Sequence, residues 1–283
     1  MRLAALALAG IVMASPAGAA PEFGTLDEIT ACIRRNTPDV TSLQAVEFSA
    51  RDRLGDERTT RVKIASRRTP EGYRKVLAQI TAPEDVKDTS FLIEEGEGGI
   101  SMSVYSPGLD VPKSIAGGEA SGSLFGTDFS YEDFERLQGM NWEAEAQAFT
   151  RQEDGSVDDR PAYVLESRPE TSSYERILAY VDKETCIALR TELYETGRRL
   201  RKVLIADPEE VRELDGAWFA HDLVMLDLRD QTQTRLVVQS VSTGLELPEF
   251  DPMTVLPVAK PEVEPPKPSF EDLDLGMPKP ELK

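Results

Sequence analysis

From residue 46 onward, apolar side chains recur at every second position, and that period constrains the fold more than any other feature of the chain. Val46, Phe48 and Ala50 alternate with Glu47, Ser49 and Arg51. Val62 and Ile64 alternate with Arg61 and Lys63, and Ile100, Met102 and Val104 with Ser101 and Ser103. Val76, Ala78 and Ile80 repeat the pattern, as do Trp142, Ala144, Ala146 and Ala148 against Glu143, Glu145 and Gln147. Segments 161–168, 174–182, 186–195, 199–206, 216–229 and 231–243 continue it, and turn signals such as Gly55-Asp56, Thr196-Gly197 and Asp215-Gly216 punctuate it. Successive side chains of an extended strand point to opposite faces, so each segment reads as a strand with one apolar face. About a dozen strands with no long helical pattern between them exclude a βαβ fold. They predict a mainly β (α+β) chain built on a large curved antiparallel sheet with one covered face.

Two short stretches break the period. Residues 25–36 place Leu26, Ile29 and Ile33 at helical spacing, with Thr25 or Asp27 as the cap and Pro38 as the stop. Residues 130–138 place Tyr131, Phe134 and Leu137 on one stripe, and Ser130 with Asp133 three residues on resembles a capping box. Two short helices are too few to fill the inner face of so large a sheet. An apolar pocket between the helices and the concave face is therefore expected. Its candidate lining residues are Phe48, Val62, Ile64, Phe91, Ile93, Met102 and Val104, although the same alternation would equally supply a plain core. Residues 107–127, with five Gly and two Pro, read as an irregular loop.

Composition narrows the chemistry. Lys and Arg number 32 against 51 Asp and Glu, a formal charge of −19, which argues against a nucleic-acid partner. One His and two Cys exclude a His-rich catalytic metal site and a four-cysteine zinc site. No G-x-S-x-G, S-x-x-K, P-loop or H-E-x-x-H spacing occurs. His221 shares its side of the alternation with Phe219, Leu223 and Met225 and reads as a packed or rim histidine rather than a base. Asp128, Glu132 and Asp133 cluster acidic oxygens, but without EF-hand spacing, and helix capping explains Asp133 better. No catalytic residue, metal or cofactor is assigned.

The two ends of the chain differ from its middle. Residues 1–20 carry Arg2, an apolar run over 3–14 and an Ala17-Gly18-Ala19 cleavage pattern, which together read as a secretory signal peptide. Export to an oxidising compartment makes a Cys32–Cys186 disulfide the expected state of the two cysteines, with two unrelated buried thiols as the alternative. Residues 257–283 hold seven Pro and few apolar anchors and read as a Pro-rich disordered tail, either a spacer or a docking peptide. One domain over 21–256 is left between them.

The segment 76–139 resembles a known family. VLAQITAPEDVKDTSFLI resembles the pattern P-x-D-x-K-G-T-x-F-L, and SLFGTDFSYEDFERLQG resembles G-S-D-F-S-Y-E-D-L. Both patterns belong to the LolA-like outer-membrane lipoprotein-sorting proteins of Gram-negative bacteria. Val181-Asp182-Lys183-Glu184, Leu189 to Tyr194 and Pro248-Glu249-Phe250 with Leu256 extend the resemblance over about residues 40–256. It implies an unclosed antiparallel half-barrel with helices as a lid, a periplasmic location, and cofactor-free transport of lipid or acylated lipoprotein cargo. It also implies work alongside an inner-membrane transporter of the RND or MMPL type. Gly126, Asp128, Phe129, Tyr131, Glu132 and Asp133 match the family motif, with lid positioning or cargo contact as their role. Asp88 stands where the pattern has glycine, and one lysine, Lys113, follows Tyr105-Ser106-Pro107 where the family often has several basic residues.

Three functions are thus expected in order: a monomeric periplasmic carrier, a non-carrying accessory subunit of an exporter, and a lipid hydrolase using His221.

Overall fold

Most reversals of the chain are tight hairpins placed where a residue accepts a positive φ. Asp158-Asp159 (φ 47 and 62) and Asp215-Gly216 (φ 53 and 81) each turn a hairpin in two residues. The computed structural model describes residues 22–257 apart from 38, 110 and 141. The expected signal peptide, residues 1–20, and all but the first residue of the expected tail, 257–283, lie outside the described residues.

The first half of the sheet is a meander: β1 (Ser42–Arg51), β2 (Glu57–Arg68), β3 (Arg74–Ala82), β4 (Ser90–Gly96), β5 (Gly99–Tyr105) and the short β6 (Lys113–Ile115). The second half adds β7 (Thr150–Arg151), β8 (Gly155–Val157), β9 (Arg160–Ser167), β10 (Arg176–Asp182), β11 (Ala188–Glu195) and β12 (Arg199–Ala206). The hairpin β13 (Val211–Leu214) and β14 (Ala217–Ala220) stands apart as a two-stranded sheet, and β15 (Asp222–Asp227) and β16 (Thr232–Thr243) complete the chain. The large sheet runs β6-β5-β4-β3-β2-β1-β16-β15-β12-β11-β10-β9-β7, with β8 also on β9, and every pairing is antiparallel. β6 and β7 do not meet, so the sheet is a half-barrel left open. Register shifts at Ala45/Val46, Arg61/Val62, Tyr180/Val181 and Leu193/Tyr194 bend it.

Among the described residues three α-helices accompany the sheet: α1 (Leu26–Arg35), α2 (Tyr131–Leu137) and α3 (Trp142–Ala148). The third corrects the strand reading of 142–148. WEAEAQA alternates with period two, but Ala, Glu and Gln are strong helix formers and poor strand residues, and propensity wins over a short pattern. The 107–127 segment is also more regular than expected, since it contains β6 and a 3-10 turn over Gly117–Ser121. Segment 216–229 divides into β14 and β15 around His221. Thr25, not Asp27, caps α1: its hydroxyl accepts from the Glu28 N–H at 3.3 Å, and its own N–H donates to Glu28 Oε2 at 2.9 Å.

Both faces of the sheet are used. On the concave face, Val46, Phe48, Val62, Ile64, Val76, Ala78, Ile80, Phe91 and Ile93 form the main core. At its far end α1 buries Ile29 and Cys32 against Tyr163, Leu165 and Val181. The outer face, expected to be uncovered, is roofed over β1–β4 by the segment after β16. Phe250 and Leu256 pack there on Leu43, Ala65, Leu77 and Leu92. Gln79 stitches that strap down, accepting from the Leu256 N–H at 3.1 Å and donating to the Thr254 carbonyl at 3.2 Å. Leu43, Ala65, Leu77 and Leu92 alternate with the concave-face residues of β1–β4 and so make this second surface feasible.

Cys32 and Cys186 form a disulfide that joins α1 to the start of β11 across 154 positions. Closing so long a loop removes unfolded-state entropy worth about 4–5 kcal/mol. A Cys32→Ser, Cys186→Ser double variant is expected to lose stability on that scale, read as a lower midpoint in urea unfolding with a steeper slope, because the uncrosslinked unfolded chain exposes more surface.

Candidate functional site

Where α1 and α2 bridge the concave face, the core does not close. A cavity of about 330 Å³ remains at the seam between the two halves of the sheet. Its floor is Val46 and Ile64 from the first half and Leu193, Leu204, Leu223, Met225, Leu236 and Val238 from the second. Its roof is Ile33 of α1 and Leu137 of α2, and the β14 residues Trp218, Phe219 and Ala220 close one side. At roughly 30 Å³ apiece, the liquid volume of a water-sized group, the space admits about ten methylenes.

The seven candidate lining residues all lie on this concave face, but they divide. Ile64 lines the cavity. Phe48, Val62, Phe91 and Ile93 are buried in the adjoining core, and Met102 and Val104 pack against its margin. What covers them is the motif segment. Phe129 meets Phe48 edge-on with centroids 5.8 Å apart, and Phe91 packs on Tyr131 at 4.8 Å and Phe134 at 6.1 Å. The first-half wall is thus filled by the chain itself, and the open volume lies beside it. The second-half residues Leu223, Met225, Leu236 and Val238 carry the same alternation and were legible as strand faces. What the local pattern did not reveal is that β1 pairs with β16, which brings these strands beside Ile64.

The motif residues build a polar lock that holds α2 in place. Asp128 accepts from Thr234 Oγ1 at 2.6 Å and from the Thr232 hydroxyl, and its backbone N–H donates to Thr234 Oγ1 at 2.9 Å. Burial pushes its carboxyl above the usual range, and the two threonine hydroxyls oppose that push. Ser130 and Asp133 complete a reciprocal capping box at 2.8 and 3.0 Å. The Asp133 carboxylate then takes Lys202 Nζ at 2.8 Å and the Tyr174 hydroxyl at 2.8 Å, so it ties α2 to both β12 and the approach to β10. Lys202 also donates to the Asp128 carbonyl at 2.7 Å. Glu132 pairs with Arg136 at 2.7 Å and accepts from the Ser173 N–H and hydroxyl at 3.1 and 2.9 Å. The three carboxylates once weighed as a cation cluster are each spent on a named partner. No group of three or more His, Cys, Asp or Glu able to hold a metal occurs among the described residues. Gly126 (φ 75) turns the chain into this segment.

At the mouth, Gly139 (φ 63) lets α2 end against α1: a Cβ there would stand 2.8 Å from Thr37 Cγ2. Asn36 fastens the same corner, donating to the Thr185 carbonyl at 2.8 Å and accepting from the Trp218 N–H at 3.0 Å. His221 is 3 % exposed, and burial, aided by Arg212, lowers its pKa and favours the neutral ring. It lies behind the cavity wall formed by Ala220 and Leu223. Asp88 holds φ 64, the backbone region that a glycine in the family pattern supplies at this position and that aspartate tolerates.

A family model for an uncharacterized protein matches residues 72–251. Among solved structures, a DUF1329 family protein from Desulfovibrio piger is 23% identical, with 79% of this chain and 93% of that one aligned at a TM-score of 0.70. A putative outer membrane lipoprotein-sorting protein domain from Vibrio parahaemolyticus is 23% identical over 79% and 94% of the two chains, with a TM-score of 0.70. A LolA superfamily protein from Nitrosomonas europaea is 19% identical over 79% and 95%, with a TM-score of 0.62. No curated protein matches the chain significantly. The LolA-like fold inferred from the motif is therefore the fold of this chain. No helix among the described residues is long and apolar enough to cross a membrane.

Two expectations follow from the lock. Lys202→Met leaves the Asp133 carboxylate buried beside Tyr174 without its cation, at a cost of about 3–5 kcal/mol in equilibrium unfolding. On α2, burial pushes Glu135 up to about 7; Arg136 opposes it, and Glu145, Glu132 and Glu95 add to it. Folding therefore favours the protonated form, and that advantage is full below pH 4.5, the ordinary value, and lost as pH rises through about 7. Glu135→Gln should match wild type below pH 4.5 and exceed it in stability above pH 7, measured by denaturant unfolding across that range.

Proposed function

The chain belongs to that family of uncharacterized proteins, and we propose that it is a periplasmic carrier. It takes the acyl chain of a lipid or acylated lipoprotein into the cavity under α1 and α2 and carries it toward the outer membrane. The carrying observation is the cavity itself, an apolar space of about 330 Å³ set between a curved sheet and two helices that end against each other.

The driving force is desolvation. Each buried methylene contributes about 0.8 kcal/mol, so about ten contribute about 8 kcal/mol before ordering costs are subtracted. That is enough to hold a chain and weak enough to yield it to a membrane or a competing acceptor. Loading and release require the roof to move. α2 is the element that can move, because the contacts that hold it, the Asp133 bonds and the packing of Tyr131 and Phe134 on Phe91, are all non-covalent, whereas α1 is tied covalently through Cys32. A membrane transporter of the RND or MMPL type is the donor this reading assigns, and the signal segment 1–20 delivers the chain to its compartment. The role is binding, with no catalytic residue.

The test is mass spectrometry of lipid extracts from protein purified natively from periplasm. Acyl species are expected with wild type and reduced with Ile64→Glu or Leu223→Glu at unchanged secretion. Wild type that carries no acyl species would sink the carrier reading. His221→Ala should leave bound lipid and its integrity unchanged.

A further inference from the structure

The outer face of the half-barrel is apolar in two places, and the strap after β16 covers one of them. Over β1–β4 it brings Phe250 and Leu256 onto Leu43, Ala65, Leu77 and Leu92. The second place lies on β12 and β15. Leu204, Leu223 and Met225 of these strands line the cavity, so the strand period turns Val203, Ile205, Val224 and Leu226 to the outside. Val203 pairs with Leu226 and Ile205 with Val224 across the ladder, and with Leu200 they make a separate apolar cluster. The residues beside them on the flanking strands are polar: Glu192 next to Val203, Arg235 next to Val224 and Gln233 next to Leu226. Val203, Val224 and Leu226 are nevertheless only 3, 2 and 3% exposed. Among the described residues every apolar member of the cluster comes from β12 or β15, and no helix or strap residue joins it. Side chains on one face of a sheet stand upright and shield each other's flanks but not their tops. Burial this deep therefore calls for a covering segment.

The chain carries the strap's pattern a second time. PEFDPMTV at 248–255 and PSFEDLDL at 268–275 share a proline, a phenylalanine two positions on, an acid next to it, and apolar residues at the sixth and eighth places. Phe250, the buried anchor of the strap, thus has its counterpart in Phe270. The reach is sufficient. The strap ends at Leu256 over β2, where Lys63 Nζ donates to the Leu256 carbonyl at 2.9 Å. In the sheet β15 follows β2 after β1 and β16, about 15 Å away at the usual strand spacing, and residues 257–267 extend to about 36 Å. We propose that residues 268–275 are a second strap, which seats Phe270 on Val203, Val224 and Leu226 of the same chain. Residues 257–267 are then the link between two straps, and the tail docks in cis. One strap stands behind each half of the cavity floor: the first behind Ile64 through Ala65, the second behind Leu223 and Met225 through Val224. The outer face takes no part in the carrier reading, so the two stand or fall separately.

Photo-crosslinking tests the seat directly. The full chain is made with p-benzoylphenylalanine in place of Phe270, irradiated, and the products mapped by mass spectrometry. Links within one chain to β12 (199–206) and β15 (222–227) are the expected result. Links to β1–β4 would mean that the segment competes with the first strap, links between two chains that it docks on a second copy, and no links that it has no seat. Each of these three results overturns the proposal. A second measurement reads the face itself, through the fluorescence of the apolar dye anilinonaphthalene sulfonate. Phe270→Asp in the full chain should bind about twofold more dye than wild type, because an uncovered apolar face takes it up. Phe250→Asp, which lifts the first strap, supplies the reference signal. Dye binding by Phe270→Asp equal to that of wild type would also overturn the second strap.

Discussion

The pairing of β1 with β16 is the constraint on which everything else depends. It runs over ten registered positions, from Ser42 opposite Thr243 to Arg51 opposite Gln233. It joins two meanders that are otherwise local, each made of hairpins. The partners lie far apart in the chain, so closure entropy must be met before the contact repays it, and an apolar seam meets it. Val46, Leu236 and Val238 meet there, and the cavity sits on the same line. The bulge at Ala45/Val46 bends the sheet at this point, so the seam supplies both continuity and curvature.

A second theme is the division of labour between apolar and polar contacts. The motif aromatics fill the first-half wall, and the motif acids fix where they sit. Asp133 shows the economy of the arrangement: one carboxylate caps α2, neutralises Lys202 and accepts from Tyr174. A buried charge of this kind is costly unless it is paired and hydrogen-bonded, and Asp133 accepts three bonds, one of them from a cation. The result is a helix whose position is specified by direction-dependent bonds as well as by the packing of Phe134 and Tyr131 on Phe91. Such an element has one well-defined closed position.

Much of this was legible in the sequence, and the failures have physical causes. Period two located the strands, the Cys32–Cys186 pair is a disulfide, and GTDFSYEDF pointed to the LolA-like fold. The segment 142–148 misled because alanine alternation carries little information about burial, while its helix propensity is high. The outer roof escaped notice because Leu43, Ala65, Leu77 and Leu92 are isolated between the inward residues, and their cover, Phe250 and Leu256, comes from a distant strap. The second-half wall of the cavity was visible as strand faces but not as a wall, since long-range pairing leaves no local signature. Arg74, a buried residue of the cavity wall, had no signal at all: an arginine at a strand start is ordinary until the fold buries it.

The open half-barrel leaves two rims, and the way they end bears on how such a sheet avoids polymerising. On one side β6 covers only Met102 to Val104 of β5. On the other, the free side of β9 is divided between β8, at Arg160–Ala162, and β7, at Leu165 and Glu166. Neither rim offers a long unbroken row of backbone donors and acceptors for another chain to copy. A fourteen-stranded sheet that curls without closing can therefore keep an open gap and still present a poor template for fibre growth.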